Sequence, residues 1–226
     1  TLDRAGPQAV DLQQRGGEGR RHRHVRVDHP DAVGATEDEP GLPAQLDEGA
    51  LAVDALAAGR VIGWHQGRFE WGPRALGNRS ILADPGRSDM KDIVNTKIKF
   101  REPYRPFAPS VLVEEAERFF DLPDAKRHYP ARFMLYVTQV RPEARDKLSA
   151  ITHVDGSARL QTVDRDLNPR YHRLIETFGQ QSGTPVLLNT SFNLKGEPIV
   201  SSPADALSTF ARSSVQIGRA SCRERV

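Results

Sequence analysis

Residues 72–85 read Gly72-Pro-Arg-Ala-Leu-Gly-Asn-Arg-Ser-Ile-Leu-Ala-Asp-Pro85, and residues 97–110 read Lys97-Ile-Lys-Phe-Arg-Glu-Pro-Tyr-Arg-Pro-Phe-Ala-Pro-Ser110. Both segments interleave fixed cations with Gly and Pro. Arg presents a planar fork of donors to an anion, and Lys adds a mobile point charge. Because proline and the residue before it avoid helix, the chain after Lys99 stays extended, which lets Lys99 and Arg105 reach one anion from two sides. The two segments therefore predict rigid loops that bind a polyanionic small molecule.

The first 45 residues differ in composition from the middle of this 226-residue chain. They include the run Arg-Gly-Gly-Glu-Gly-Arg-Arg-His-Arg-His at 15–24 and almost no large apolar residues. Such a segment cannot bury enough surface to offset its ordering entropy, so we predict that 1–45 is disordered or translated out of frame. A natural linker and a basic nucleic-acid-binding arm are the alternatives, and the acidic residues that follow the basic run weaken the second.

The last eleven residues, 216–226, match the translation of a widely used sequencing adaptor. We therefore interpret 213–226 as a non-native tail, with read-through from about residue 216, and a natural basic tail is the alternative. Excluding the eleven residues removes Cys222, which is the sole cysteine, together with three Arg and one Glu. The formal charge of +2 minus the tail's +2 leaves zero, so the overall charge gives no indication of nucleic-acid binding.

Residues 46–212 have the pattern of one globular α/β domain. Hydrophobic periodicity and capping residues predict helices at 48–58, 89–99, 114–120, 168–181 and 203–210, with Asp89 as an N-cap. Strands are predicted at 61–66, 110–113, 133–140, 158–163 and 184–188. Because these elements mix without strict alternation, we expect a mixed β-sheet flanked by helices. No run of 18 apolar residues and no signal peptide is evident, which predicts a cytoplasmic protein without a membrane span.

Four polar clusters are candidates for binding or catalysis. Arg74, Arg79 and Ser80 follow the aromatic residues Trp64, Phe69 and Trp71, whose apolar surface would strengthen the electrostatics of the arginines. Lys99, Arg101 and Arg105 form the second cluster. For both, ordinary pairing with surface acids is the alternative.

The third and fourth clusters come later in the chain. His153 could be an acid or base, although a hydrogen-bonded structural role is more common, and Arg159 at the start of a strand is the better ligand candidate. Ser191 and Asn193 follow a buried strand, and the carboxyl end of such a strand is where α/β proteins usually bind ligands. Plain turn chemistry is the alternative for these two residues. No P-loop, no Gly-x-Gly-x-x-Gly fingerprint and no His-Glu-x-x-His motif occurs.

Taken together, the strings Gly72 to Pro85, Lys97 to Ser110, His153 to Arg159 and Leu188 to Val200 resemble the C-terminal part of the O-carbamoyltransferases that modify nodulation factors and antibiotics. The resemblance implies a fold similar to that of threonylcarbamoyl-adenylate synthase, the YrdC-like fold, in which a twisted mixed β-sheet surrounds a central cleft. It also implies a reaction in which carbamoyl phosphate and ATP give carbamoyl-adenylate and pyrophosphate, with release of phosphate through a carbamate intermediate.

The resemblance further implies roles for individual residues. Lys99 and Arg105 would neutralise charge at the reacting carbamate and α-phosphate, and they are the expected catalytic residues. The expected substrate and nucleotide ligands are Arg74, Arg79, Ser80, Arg101, His153, Arg159, Ser191 and Asn193. Mg²⁺ is expected to accompany ATP without a protein metal site, because no acidic cage is evident. The family's iron-type metal and the acceptor site would belong to an N-terminal transfer domain that this sequence lacks.

Two other functions stay open at this point. The chain could be a nucleotide- or RNA-binding module of the same fold without catalysis, since a related fold can present a basic cleft to RNA. It could also be a carrier domain that binds a nucleotide and performs no chemistry. Nucleic acid is the less favoured partner because the net charge is close to zero.

Overall fold

The computed structural model describes residues 24–27, 48–215 and 217–220. Eight strands form one mixed sheet in the order β1-β8-β2-β3-β7-β4-β6-β5. Their bounds are β1 His24–Val27, β2 Ile62–His65, β3 Arg79–Ala83, β4 Ala108–Leu112, β5 Tyr136–Gln139, β6 Ser157–Val163, β7 Val186–Ser191 and β8 Ile217–Ala220. The pairs β1/β8, β2/β8 and β4/β6 are parallel, and β2/β3, β3/β7, β4/β7 and β5/β6 are antiparallel. The predicted mixed sheet with flanking helices is confirmed.

Helices cover both faces of the sheet. They are α1 Glu48–Ala57, α2 Met90–Asp92, α3 Ala116–Phe119, α4 Pro169–Ser182 and α5 Pro203–Arg212, and α2 continues as a π-helix over Ile93–Ile98. Short 3₁₀ segments lie at Ala125–Arg127, Tyr129–Phe133, Pro142–Ala144 and Asp146–Leu148. Within the described ranges, none of the helices combines the length and the hydropathy that crossing a bilayer requires.

Strand alternation divides the core into two clusters. In β3, Leu82 packs with α1 and α4, whereas Ile81 and Ala83 pack with the π-helix and α5. The same alternation separates Leu187 from Val186 and Leu188 in β7. Successive side chains of a strand point to opposite faces, so each strand contributes apolar surface to both layers. The result is a three-layer arrangement with the sheet in the middle.

Several helix ends follow the sequence signals. Asn168 caps α4 by accepting a hydrogen bond from the Tyr171 amide at 3.3 Å, and Gly183 ends this helix with φ +76°. Ser202 and Asp205 form a capping box at the start of α5. Asp89 departs from the prediction: its carboxylate makes no capping bond and pairs with Arg87 at 2.7 Å. Asp89 thus occupies the predicted N-cap position of α2, but its side-chain cap does not form, because a nearby guanidinium engages its oxygens.

Two further predictions need correction. Residues 133–140 were expected to be one strand, but the chain is 3₁₀ up to Phe133, takes a left-handed conformation at Met134 (φ +55°) and is extended only in β5. Strand β3 was not predicted, because its first residue is the charged Arg79 within a segment interpreted as a loop. Tertiary burial overrides local propensity at this position.

The strands β1 and β8 lie in the two terminal segments that the sequence analysis placed outside the globular domain. The backbone of β8 takes a place between β1 and β2, with Ile62 opposite Ile217, although residues 213–226 were interpreted as a tail. Most of the predicted disordered segment 1–45 and the last six residues lie outside the described residues.

The loop that joins β2 to β3 is held tightly against α4. We call residues 70–78 the first loop. Gly77 in this loop has φ +105°, and a Cβ built on it would lie 2.2 Å from the Tyr171 ring. Only glycine satisfies both the backbone angle and this close approach. The contact between Gly77 and Tyr171 therefore fixes how the first loop packs against α4.

We expect Gly77→Ala to lower the free energy of unfolding by at least about 2 kcal/mol more than Gly72→Ala, because the added methyl group must displace a buried ring. Gly72 is a matched control: its φ is +110°, and a Cβ there meets nothing within 4 Å. Urea denaturation of both variants measures the difference. Equal destabilisation would show that backbone strain alone matters.

Candidate functional site

A cleft of about 110 Å³ lies where β7 ends and where β4 and β6 begin. This volume is several times the roughly 10–15 Å³ that one water requires by the same measure. The polar residues that line the cleft are Arg74, Arg101, Arg159, Asn189, Thr190 and Ser191. The other lining residues are Pro73, Ala75, Pro106, Phe107, Ala108 and Met134. Three guanidinium groups thus share a small cleft whose lining residues include no carboxylate.

Glu70 fixes the shape of the first loop, which carries Arg74. One carboxylate oxygen, Oε1, accepts hydrogen bonds from the amides of Leu76 at 2.8 Å and Asn78 at 2.9 Å. Burial raises the pKa of Glu70, whereas these amide donors and the charge of Arg79 act in the opposite direction. A side-chain oxygen that accepts from two main-chain amides fixes the path of a loop, in the same way that an N-cap side chain fixes the first turn of a helix. Glu70 therefore positions Arg74 without lining the cleft.

A buried hydrogen-bond network lies under the same loop. Ser110 Oγ donates to Gln161 Oε1 at 2.7 Å, and Gln161 Nε2 donates to the carbonyl of Leu76 at 2.8 Å. Asn189 Nδ2 donates to the carbonyl of Ala75 at 3.1 Å. These three side chains come from the adjacent strands β4, β6 and β7. The sheet and the first loop are thus joined by polar groups that water does not reach.

A second loop, residues 100–106, brings Arg101 to the opposite wall. Asn95, in the π-helix, is fully buried and donates to the carbonyls of Pro103 at 3.1 Å and Arg105 at 3.0 Å. Its Oδ1 accepts from Arg101 Nε at 2.7 Å, and the Arg101 guanidinium lies 4.7 Å from the centre of the Phe107 ring. Burial, with the nearby charge of Arg105, lowers the pKa of Arg101, which nonetheless stays protonated.

Lys99 is buried next to the end of β7. Its ammonium contacts both oxygens of Asn193, Oδ1 at 2.7 Å and the carbonyl at 3.0 Å. It also contacts the Ser191 carbonyl and, at 3.3 Å, Ser191 Oγ. Burial, and secondarily the charge of Arg101, lowers the pKa of Lys99 to about 7, while the surrounding neutral oxygens favour the charged form. The structure thus brings together the three residues Lys99, Ser191 and Asn193 that the sequence singled out.

Arg159 and Arg74 are neighbours on the cleft wall. Burial, followed by the charge of Arg74, lowers the pKa of Arg159. Like charges that converge without a carboxylate repel one another, and an anion between them removes this cost. The arrangement is suited to binding a polyanion.

Arg105 is close enough to influence Arg101 electrostatically, but it does not line the cleft. Its side chain is 54% exposed, forms an ion pair with Glu102 at 3.0 Å and is not among the residues that line the cleft. The sequence predicted an extended chain after Lys99 that lets Lys99 and Arg105 reach one anion. The prediction is wrong, because Phe100 is left-handed (φ +48°) and the Arg105 amide donates to the Glu102 carbonyl at 3.3 Å in a turn. Exposed ion pairs of this kind contribute little to stability, so the guanidinium can exchange Glu102 for another anion at small cost.

Arg79, Ser80 and His153, which the sequence predicted to be ligands, make contacts that are typical of structural residues. Arg79 is 4% exposed and donates to the carbonyls of Gln66 at 2.6 Å and Ser201 at 3.0 Å. Its position in β3 places it on the sheet face opposite Leu82, whereas the Ser110–Gln161–Asn189 network is on the Leu82 side. Ser80 is fully buried and accepts from the Gly77 amide at 3.1 Å. This arrangement favours structural roles for Arg79 and Ser80.

His153 also lies outside the cleft lining. Its Nδ1 is 3.0 Å from Ser157 Oγ, and its main chain forms a turn with Ser157. Burial lowers the pKa of His153, with the charge of Asp155 acting in the opposite direction. The alternative of a hydrogen-bonded structural histidine fits this geometry better than a ligand role.

Sequence reasoning missed four residues of the site: Glu70, Asn95, Asn189 and Thr190. Thr190 and Asn189 stand directly before Ser191 in a strand whose burial was predicted, and a polar residue inside such a strand was a usable signal. Glu70 and Asn95 act through main-chain groups of loops, and sequence gives no direct sign of such contacts. Among the described residues, no group of three or more acidic, His or Cys side chains could hold a metal ion.

Comparisons with known proteins identify the family of this chain. The family model "Carbamoyltransferase C-terminus" matches residues 53–218. Nodulation protein NolNO of Sinorhizobium fredii is 56% identical over 164 residues, which are 73% of this chain and 24% of that protein. A 3'-hydroxymethylcephem-O-carbamoyltransferase of Streptomyces clavuligerus is 48% identical over 160 residues, 71% of this chain and 29% of that enzyme.

Solved structures share the fold. HypF in its phosphate- and nucleotide-bound form superposes with a TM-score of 0.55 at 16% identity, covering 80% of this chain and 26% of HypF. Sua5 of P. abyssi in complex with L-threonine gives 0.54 at 13% identity, covering 79% of this chain and 48% of Sua5. The fold and the cleft thus define a YrdC-like α/β protein with a cationic cleft. The chain belongs to the carbamoyltransferase C-terminal family, and it spans less than a third of the curated relatives described above.

We expect Arg79→Ala to lower the free energy of unfolding by about 2–4 kcal/mol, because it leaves several buried carbonyls without a donor. Arg165→Ala is the control: this arginine is 62% exposed and pairs with Glu176, so its loss should change stability by less than about 1 kcal/mol. Chemical denaturation measures both values. A stable Arg79→Ala protein with weakened anion binding would restore the ligand role that the sequence suggested.

Proposed function

We propose that this chain catalyses the ATP-dependent activation of carbamoyl phosphate to carbamoyl-adenylate, as one half-reaction of an O-carbamoyltransferase. The observation that carries the proposal is the convergence of Arg74, Arg101 and Arg159 on one cleft, with buried Lys99 beside it and no carboxylate among the lining residues. Family membership and the O-carbamoyltransferase activity for which the cephem relative is named support the carbamoyl group as cargo. The phosphate and nucleotide in the HypF structure support ATP as the second substrate.

The chemistry balances in two steps. Water cleaves carbamoyl phosphate to carbamate and phosphate. A carbamate oxygen then attacks the α-phosphorus of ATP, a P–O bond to the β-phosphate breaks, and carbamoyl-adenylate and pyrophosphate form. Both substrates of the second step are anions, so positioning and charge neutralisation supply most of the rate enhancement. A cleft with several cations and no competing acid meets that need.

The geometry suggests a division of roles. Arg74 and Arg159 lie close enough for the charge of Arg74 to influence Arg159, and these two residues hold the phosphate groups. Arg101 adds a third positive charge to the cleft lining. Lys99 neutralises charge where the carbamate meets the α-phosphate, next to Ser191. Arg105 joins only after it releases Glu102. Asn193 acts on Lys99 and is thus a positioning residue.

Transfer to a hydroxyl acceptor is assigned to the remainder of the full-length protein. The matched part of the chain corresponds to 24% of NolNO and 29% of the cephem enzyme, so most of each relative has no counterpart here. We propose that an N-terminal transfer domain takes the adenylate from this cleft. The iron-type metal of the family would belong to that domain.

Pyrophosphate release tests the half-reaction. The chain mixed with ATP, Mg²⁺ and carbamoyl phosphate should release pyrophosphate, and omission of carbamoyl phosphate should abolish the release. Arg159→Met should reduce the rate by roughly 10²- to 10³-fold, because one preorganised donor to the reacting anion is lost. The exposed Arg165→Met is the matched control and should leave the rate unchanged. A folded chain that binds ATP and releases no pyrophosphate would contradict catalysis.

Lys99 should take up a proton when an anionic substrate binds. In the free protein its pKa is about 7, so at pH 8 the amine is mostly neutral, and a nearby anion favours the charged form and raises this pKa. Calorimetric titration with ATP at pH 8, in buffers of different ionisation enthalpy, should therefore show net uptake approaching one proton. Lys99→Met should abolish the uptake, whereas Lys147→Met, at an exposed site, should preserve it. Equal uptake in both variants would assign the proton to another group.

A further inference from the structure

Asn189 has an amide whose orientation is fixed by its neighbours. The residue is 1% exposed, and its Nδ2 lies 3.1 Å from the Ala75 carbonyl, 3.0 Å from Ser110 Oγ and 3.0 Å from Gln161 Oε1. Gln161 Oε1 is itself identified as an acceptor, because Gln161 Nε2 donates to the Leu76 carbonyl. Rotating the Asn189 amide by 180° would set its oxygen against two other acceptor oxygens. Nδ2 therefore faces the network, and Oδ1 faces away from it.

Asn189 Oδ1 has no hydrogen-bond donor among the described residues. The atom is shielded from solvent, so its acceptor capacity is unmet in a place where an unpaired polar atom is costly. Asn189 is also one of the residues that line the cleft. A hydrogen-bond donor on a ligand would supply the partner that Asn189 Oδ1 lacks.

Arg159 presents the opposite polarity. Its Nε is a buried donor for which no acceptor lies within hydrogen-bond distance in the described part of the chain. Arg159 stands in β6, two strands away from β7, and it lines the same cleft as Asn189. Strand alternation places Arg159 with Gln161, and Asn189 with Leu187, on the α4 side of the sheet. Two residues that line the same small cleft thus each carry a buried polar atom without a partner among the described residues, an acceptor in Asn189 and a donor in Arg159.

We propose that Asn189 and Arg159 together recognise the carbamoyl group: Asn189 Oδ1 accepts a hydrogen bond from the amino group, and Arg159 Nε donates one to the carbonyl oxygen. The inference rests on the proposed function and adds a specificity determinant to it. Acyl phosphates carry the carbonyl and the anionic oxygens but neither an N–H nor an O–H beside the carbonyl, so they leave Oδ1 unpaired. A site built to bind a donor rejects an analogue that lacks it. Asn189 thereby makes the cleft selective for carbamoyl over acyl groups.

A pair of stable phosphonates tests the selectivity. Phosphonoacetamide and acetonylphosphonate have nearly the same shape and charge and differ by an amino group against a methyl group. Calorimetry with the unmodified chain should show about ten- to hundredfold tighter binding of the amide. Asn189→Ala should reduce this ratio to about one. Because a ratio is measured, a general weakening of anion binding cancels.

Ser110→Ala is the matched control. It removes one member of the same buried network and leaves Asn189 Oδ1 in place, so the preference for the amide should persist even where stability falls. Asn189→Val replaces the amide with a strand-compatible side chain that carries no hydrogen-bond acceptor, and it serves if Asn189→Ala does not fold.

Each outcome decides a different question. Preference lost in the Asn189 variants and kept in Ser110→Ala supports the assignment. Equal binding of both phosphonates to the unmodified chain, or a preference that survives in the Asn189 variants, overturns it while the proposed function stands. Failure of the folded chain to bind either phosphonate overturns the proposed function and this inference with it.

Discussion

Ser110, Gln161 and Asn189 hydrogen-bond to one another across three adjacent strands and to the main chain of the first loop, and the geometry of the cleft depends on these contacts. Polar groups inside a sheet must find partners, because each unpaired one costs free energy. Here the main-chain carbonyls of the first loop accept hydrogen bonds from Gln161 and Asn189. If the loop moved away, these buried amide groups would lose their partners. Glu70 holds the loop amides in the same way from the other side. Arg74 is therefore carried by a rigid support.

The sequence predicted the parts of the fold that local chemistry determines. Helix α4 has an Asn cap, a first-turn proline and a terminal glycine, and each acts in the structure as expected. The sequence singled out Lys99, Ser191 and Asn193 in separate segments, and the structure brings them into contact. Arg79 and Arg105 look alike in sequence, yet one is buried among carbonyls and the other is exposed. Which way an arginine points depends on strand parity and on distant main-chain atoms, and neither is visible in a motif.

The arginines of the cleft lie close together, and no carboxylate is among the lining residues. Their mutual repulsion lowers the stability of the folded protein. Burial, followed by the charge of Arg74, lowers the pKa of Arg159, and Lys99 is buried among neutral oxygens. A carboxylate in the cleft would relieve the repulsion but would also compete with an anionic ligand. Preorganised sites often accept such a loss, since the binding partner later removes it. The surrounding three-layer core, with apolar clusters on both faces of the sheet, supplies the stability that the cleft gives up.

Half of the oxygens around Lys99 are main-chain carbonyls, those of Ser191 and Asn193. Every residue type carries this carbonyl, so a substitution at either position cannot remove it as long as the strand end keeps its path. The electrostatic setting of the lysine is therefore inherited with the backbone more than with the side chains. Distant members of the fold can lose the hydroxyl and the amide and still hold a cation at this strand end.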